Sequence, residues 1–473
     1  MRPMDRHSNR AGLQARACCA VNSLRLYCCA MRPLSILPLC GLLSVSTACA
    51  QGPGPLPPKV TGYVTRAASG TDFDANGFRV LCGAKTLTEV EVGPTVDDAA
   101  NGCPKTSPYI GEIVNVYGSM KKKKHAVVAT RIEFRLPVRS SSPGSALIEV
   151  LKPPDSTGPQ HPGLLVRADG YWIRIGDKTN VSLVPPLQSL ADVKPGNWLD
   201  YRGARAPDGV VTATAVKIGP NIISQGEEKL RTSKEYDPSK VPADSKPNSA
   251  ERFFVGVVDP KEFPPYENAA MQARVNAIGE KLIPAFERNL PDSDPAKIHF
   301  RFQLIDTTWL RDALTLPSGI ILIPRQVVER MQNDSQLATV LADNIACALE
   351  RQQYRTQTKA RLETAAKLGG LAGLAVEGAP ALLVGAAASA EVLMPGSDIA
   401  AYTMDQSGRV SLGLLHDAGY DIDQAPMAWW LLAKKEPKPI AEVAMPPRAE
   451  YLYQILGETW NNPAASNASA VIP

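Results

Sequence analysis

Histidine is scarce in this chain: five in 473 residues, with only His299 and His416 beyond Glu251. A metal centre built on several histidines is therefore excluded from the C-terminal half. Cysteine is unevenly spent. Six of the nine cysteines lie at or before Cys49, which leaves Cys82, Cys103 and Cys347. Aromatic residues make up 6%. An excess of one charge sign is absent as well: residues 1–50 carry six arginines and one acid, leaving 45 basic against 46 acidic residues beyond them. That balance excludes the electrostatic footprint of a nucleic-acid partner. No clean membrane-length apolar run is present either. The best stretch, Leu368 to Ala390, is dominated by Gly and Ala and interrupted by Glu377 and Pro380. It reads as a helical hairpin packed on its domain, with peripheral membrane contact as the alternative.

What is present allows two to four domains with ordinary cores, since the chain is 44% hydrophobic. Met31-Arg32-Pro33 gives a short basic segment, Leu34 to Val45 an apolar one, and Ala48-Cys49-Ala50 a small-residue cleavage site. Residues 31–50 therefore read as a secretory signal, and residues 1–30 as a mis-started extension ahead of it. The expected location is exported, periplasmic or cell-envelope, with lipidation at Cys49 as a further option. In such a compartment Cys82 and Cys103 are expected to form a disulfide. Cys347 is left over, as a small core residue.

Residues 55–137 show short alternating segments between turn residues, an all-β pattern. Val60–Thr65 opens it, Gly111 to Gly118 bounds a strand with glycines seven apart, and Val127–Ile132 closes it. The rhythm returns over 160–220, where Gly196 to Gly203 and Val210–Val216 repeat the bounded and closing strands. Each copy resembles the small OB-like β-barrel repeats of exported bacterial proteins, a likeness that implies a fold and no activity. An oligomer-binding face on the second copy would have only Tyr171, Trp172, Trp198 and Tyr201, and some of these must fill its core. Lys121–Lys124 with His125 occupy a hairpin tip in the first copy, expected to be solvated, with anionic lipid or envelope polymer as the functional alternative. Residues 221–250, polar with scattered prolines, read as a linker, and residues 461–473 as a disordered tail.

The rest of the chain is organised around Asn333–Tyr354. Leu337, Val340, Leu341, Ile345 and Leu349 form one stripe of a helix, and Asn333 with Gln336 makes a capping box at its start. Upstream lie Ala313, Pro317 and Gly319, and downstream Ala418-Gly419-Tyr420-Asp421. This order, over about residues 251–460, resembles the HtpX-like and CAAX-prenyl-protease-like zinc metallopeptidases. Members of that family carry His-Glu-x-x-His on the helix, a Glu ligand on a later helix and a Thr-His-Pro element near the end. Two histidines at i and i+4 converge on zinc, and the Glu activates its water. Here the corresponding positions hold Asp343, Asn344 and Cys347, then Gln406, then Met445. An Asn cannot take a proton from water at neutral pH, and Gln is a poor zinc ligand.

The resulting expectation is a multidomain chain: two small all-β OB-like barrels followed by a mainly α (α+β) zincin-like domain. Zinc serves the related proteins; for this chain no cofactor, metal site or catalytic set is expected. The resemblance places a substrate-aligning strand at Gly319, Ile320, Ile321 and Leu322, open for β-augmentation. Three functions follow. The first is a non-catalytic envelope protein that binds a protein or peptide through the retained groove. The second is an active zinc-dependent endopeptidase with atypical ligands Asp343 and Cys347. The third is ligand binding by the β-repeats, with the C-terminal part as a platform.

Overall fold

The architecture rests on a computed structural model that describes residues 57–91, 96–135, 141–152, 163–206, 209–240, 263–355, 396–434 and 438–462. The signal segment, Cys49, the stretch Leu368 to Ala390 and the tail beyond Asn462 lie outside the described residues.

The first β-unit contains β1 (Val60–Ser69), β2 (Asp72–Ala75), β3 (Phe78–Leu81), β4 (Leu87–Glu91), β5 (Val96–Asn101), β6 (Ile113–Lys121) and β7 (Ala126–Arg135). Its sheet runs β3-β2-β1-β6-β7, and a parallel pairing of β3 with β7 closes the five strands into a barrel. The second unit contains β8 (Ser141–Lys152), β9 (Leu164–Ala168), β10 (Tyr171–Ile175), β11 (Asn180–Leu183), β12 (Trp198–Arg205) and β13 (Val211–Gly219). It closes in the same way, through β10 and β13.

The repeat reaches individual side chains. Asn76-Gly77 and Asp169-Gly170 each place two successive residues at positive φ, as a two-residue hairpin turn demands. Thr86 and Thr179 each accept a backbone N–H three residues back, from Gly83 and Gly176, and donate to the carbonyls of Ala129 and Ala213. The second glycine of each bounded strand sits at a register shift against the closing strand. A Cβ there would come within 1.9 Å of the Val128 carbonyl oxygen at Gly118, and within 2.5 Å of that of Thr212 at Gly203. The glycine rhythm thus records a bulge that admits no side chain. The first unit adds the β4–β5 hairpin, and the Cys82–Cys103 disulfide, with its Cα atoms 5.4 Å apart, ties the end of that hairpin to β3.

Two boundaries differ from expectation. The second barrel begins at Ser141 rather than near 160, because β8 pairs with both β9 and β12. Ser141-Ser142-Pro143-Gly144 has loop composition, but Gly144 is where the Tyr201 ring lies, 2.3 Å from any added Cβ. Tertiary packing therefore decides this strand. The supposed linker is structured through Lys240: helix α1 (Gln225–Thr232) is capped by Ser224. The buried Glu227 of α1 pairs with Arg231 at 2.7 Å and with Arg351 Nε at 2.8 Å. Its charges satisfy one another, which composition alone does not reveal.

The C-terminal region is mainly helical. Helix α2 (Ala269–Leu282) and the short α3 (Ala285–Arg288) lead to strands β14 (Arg301–Ile305), β15 (Leu314–Thr315) and β16 (Ile320–Pro324). Then come α4 (Arg325–Arg330), α5 (Asp334–Leu349), α6 (Gly396–Asp417), α7 (Ala425–Ala433) and α8 (Pro447–Ile455), with a π-helical turn over Leu456–Trp460. Asn333 caps α5 by accepting the Gln336 N–H at 2.9 Å, while the Gln336 side chain reaches back to Gln332 N–H at 2.8 Å. All five stripe residues of α5 are buried, and so is its polar side, because α6 packs across it.

One apolar core runs unbroken from the second barrel into these helices, whereas the first barrel keeps a core of its own. The first barrel docks on the helical region through backbone contact. A Cβ on Gly111 would meet the Tyr453 carbonyl oxygen at 2.3 Å and the Gly457 nitrogen at 2.4 Å. Tyr63 stacks on Tyr453 beside that contact, ring centroids 6.4 Å apart.

Candidate functional site

Helix α5 carries Asp343, Asn344 and Cys347, and α6 carries Gln406; all four are fully buried. The structure brings Asp343 together with two residues that the sequence reasoning left out. Its Oδ2 accepts from Nη2 of Arg448, on α8, and its Oδ1 accepts from the Ser407 hydroxyl at 2.9 Å. The other Arg448 terminal nitrogen, Nη1, donates to Asp312 Oδ2 at 3.0 Å. The guanidinium lies over the Trp429 ring, 3.7 Å from its centroid. A buried cation thus stands against the Asp343 carboxylate. Loss of hydration pushes the Asp312 carboxyl up to about 7; Arg448 opposes that rise and the Asp343 charge adds to it.

Asn344 faces elsewhere. Its Oδ1 accepts from the Thr315 hydroxyl at 2.7 Å, and its Nδ2 donates to the Val340 carbonyl at 2.8 Å. Both ends of the amide are engaged, so the residue ties α5 to β15, and an amide is in any case no base for a water. Cys347, one turn further on, lines a small cleft of about 20 Å³ with Glu227, Arg231, Pro317, Arg351 and Tyr354. That is room for about one water molecule.

Gln406 lies under the second barrel. Its Nε2 donates to the Ser145 carbonyl at 2.9 Å, and its Oε1 accepts from Gln352 and Arg355 at 3.3 Å each. Nearby, the buried Glu350 accepts the Leu147 N–H at 3.3 Å, and burial holds its carboxyl well above the usual range. Strand β8 therefore sits over Gln406. Met445 is partly buried against the apolar core. The two histidines are elsewhere: His416, at the end of α6, lies against Trp460, and His299 is exposed ahead of β14.

Among the described residues, no three His, Cys, Asp or Glu side chains gather into a possible metal-holding group. The donor set does not fit zinc: Asp343 is already paired with the positive Arg448, and Asn344 and Gln406 are neutral amides already engaged. No step through a metal follows from these residues.

The strand placed at Gly319, Ile320, Ile321 and Leu322 is corrected by the topology. It is the central strand of a three-stranded sheet, β14-β16-β15, and every residue of β16 is buried. β14 pairs along its whole length, and β15 covers Ile321 and Leu322 on the other side. An alternating edge and a fully buried centre differ in burial on both faces, which a five-residue apolar run does not distinguish.

No protein-family model matches the chain, and no curated protein does. Among the described residues no helix is long and apolar enough to cross a membrane.

Arg448 was the main omission of the sequence reading. One signal did exist: Asp343, beside Asn344, interrupts the apolar stripe of the helix, and a buried carboxylate requires a cation or several donors.

Proposed function

We propose that the chain is a non-catalytic, exported envelope protein, a peptidase-like scaffold whose role is to bind a protein or peptide partner. One observation carries this reading: the Arg448 guanidinium is paired with Asp343 where the resembling peptidases hold a zinc ligand. A guanidinium and a zinc ion compete for the same carboxylate, and the arginine is already held by Asp312 and Trp429. The finer fold assignments, OB-like for the barrels and zincin-like for the helical region, rest on the motif order and strand rhythm. The Cys82–Cys103 disulfide supports an oxidising compartment.

Ligand binding by the barrels is the second reading, and it concerns the first barrel. The second shares its core with the helices, so its helix-facing side is not available to a ligand. The test is metal content by mass spectrometry together with a general protease assay on the purified protein. The expected result is zinc far below one per chain and no cleavage. Stoichiometric zinc lost on Asp343→Ala or Cys347→Ala, with cleavage that a chelator abolishes, refutes the proposal.

A further inference from the structure

We propose that the hairpin tip Lys121–Lys124 of the first barrel is a docking surface for anionic lipid headgroups. Lys121 ends β6, and Lys122–Lys124 form a single 3-10 turn whose first turn holds no acid. The tip is held rather than loose. His125 turns the chain at φ 46° and donates its N–H to the Lys122 carbonyl at 3.1 Å, while its own carbonyl accepts from Arg79 N–H at 2.9 Å. The imidazole Nε2 stands 3.4 Å from Glu442, so the tip lies near the segment that precedes α8. All four lysines are exposed. Among the described residues no carboxylate is paired with any of the four lysines, and Glu442 lies against His125 rather than against them.

The duplicated barrel supplies the contrast. Its corresponding hairpin, β12 to β13, carries Arg205, whose side chain is buried and paired with Glu458 of the π-helical turn. One tip is spent on an internal ion pair. The other projects four like charges that repel one another and gain nothing from the fold. The shape favours a bilayer over a polymer. The charges are gathered on one 3-10 turn at the end of a hairpin rather than strung along a strand, and lysine ammoniums act as compact point charges suited to headgroups. This inference is independent of whether the helical region is catalytic.

Each lysine near an anionic surface contributes about fivefold in partitioning, and the effect fades over a Debye length of about 8 Å at physiological salt. The experiment is co-sedimentation of the full chain with vesicles of phosphatidylglycerol and phosphatidylcholine, against vesicles of phosphatidylcholine alone. The comparison chain carries Lys121→Gln, Lys122→Gln, Lys123→Gln and Lys124→Gln; a second carries Arg at the same four positions. Both keep the same N-terminal residues, so any difference belongs to the tip. The expected result is partitioning to the anionic vesicles that weakens with salt, falls at least about a hundredfold in the Gln chain and survives in the Arg chain. Should the quadruple variant misfold, Lys122→Gln and Lys123→Gln alone each lower partitioning about fivefold. Equal partitioning of wild type and Gln chains overturns the proposal, as does equal binding to neutral vesicles. Retention on immobilised heparin without vesicle binding also overturns it, by making a soluble polyanion the partner.

Discussion

Replacing Arg448 with methionine tests the physical core of the site. The substitution keeps much of the stem that packs on Trp429 but removes the charge that faces Asp343 Oδ2 and Asp312 Oδ2. Asp343 is fully buried and keeps the Ser407 hydroxyl as a donor. Breaking a buried pair by deleting one partner costs about 3–5 kcal/mol, because the remaining charge is stranded. The loss depends on pH with a definite sign. Without the guanidinium the Asp312 carboxyl, which burial already raises to about 7, loses the charge that opposes that rise. Its contribution is therefore intact below the ordinary carboxylate range and lost as pH rises through the elevated folded value. The gap between Arg448→Met and wild type should be widest above about pH 7 and shrink towards about pH 5. Urea denaturation followed by near-ultraviolet circular dichroism, which reports the Trp429 environment, measures it. Adding Asp343→Leu to Arg448→Met should recover much of the loss, since an apolar pair of similar volume needs no counter-ion. A loss under about 1 kcal/mol, or one independent of pH, refutes the argument that Arg448 neutralises a buried acid.

Asp312→Asn isolates the second carboxyl. The wild-type group is raised to about 7 in the folded protein, so its stabilising proton is lost as pH climbs, whereas the amide does not titrate. The variant should gain on wild type by up to about 1.4 kcal/mol per pH unit between about pH 4 and 7; a flat difference across that range contradicts the assignment. Gly111→Ala, with φ at +90° and the Gly457 backbone nitrogen 2.4 Å from the new Cβ, should cost about 2 kcal/mol or more. Proteolysis between the first barrel and the rest of the chain should accelerate as that contact opens; an unchanged cleavage rate would show that the glycine pair is not the joint.

How much was legible in the sequence follows the range of each interaction. The glycine-bounded strands were readable because a bulge and a hairpin turn are local, and only glycine fits where Gly118 meets Val128. Helix α5, with its cap and its stripe, was readable for the same reason. That Asp343, Asn344, Cys347 and Gln406 lack the chemistry of a histidine-based zinc site needed only residue types. Which side chains these residues meet was not readable. Arg448 lies 105 residues from Asp343, and the Ser145 carbonyl that takes Gln406 lies 261 residues away.

Sequence alone therefore determined the repeated barrels' strand rhythm, the central helix and the absence of a histidine set, all of which depend on neighbours within one turn or one hairpin. Tertiary structure decided that β16 is central rather than an edge, that Ser141–Lys152 belongs to the second barrel and that 221–240 is packed. It also decided that the second barrel and the helices share one core. Each of these rests on burial and pairing between segments far apart in the chain. Hydrophobic period and turn residues, which are local, carry no record of which distant surface will cover them.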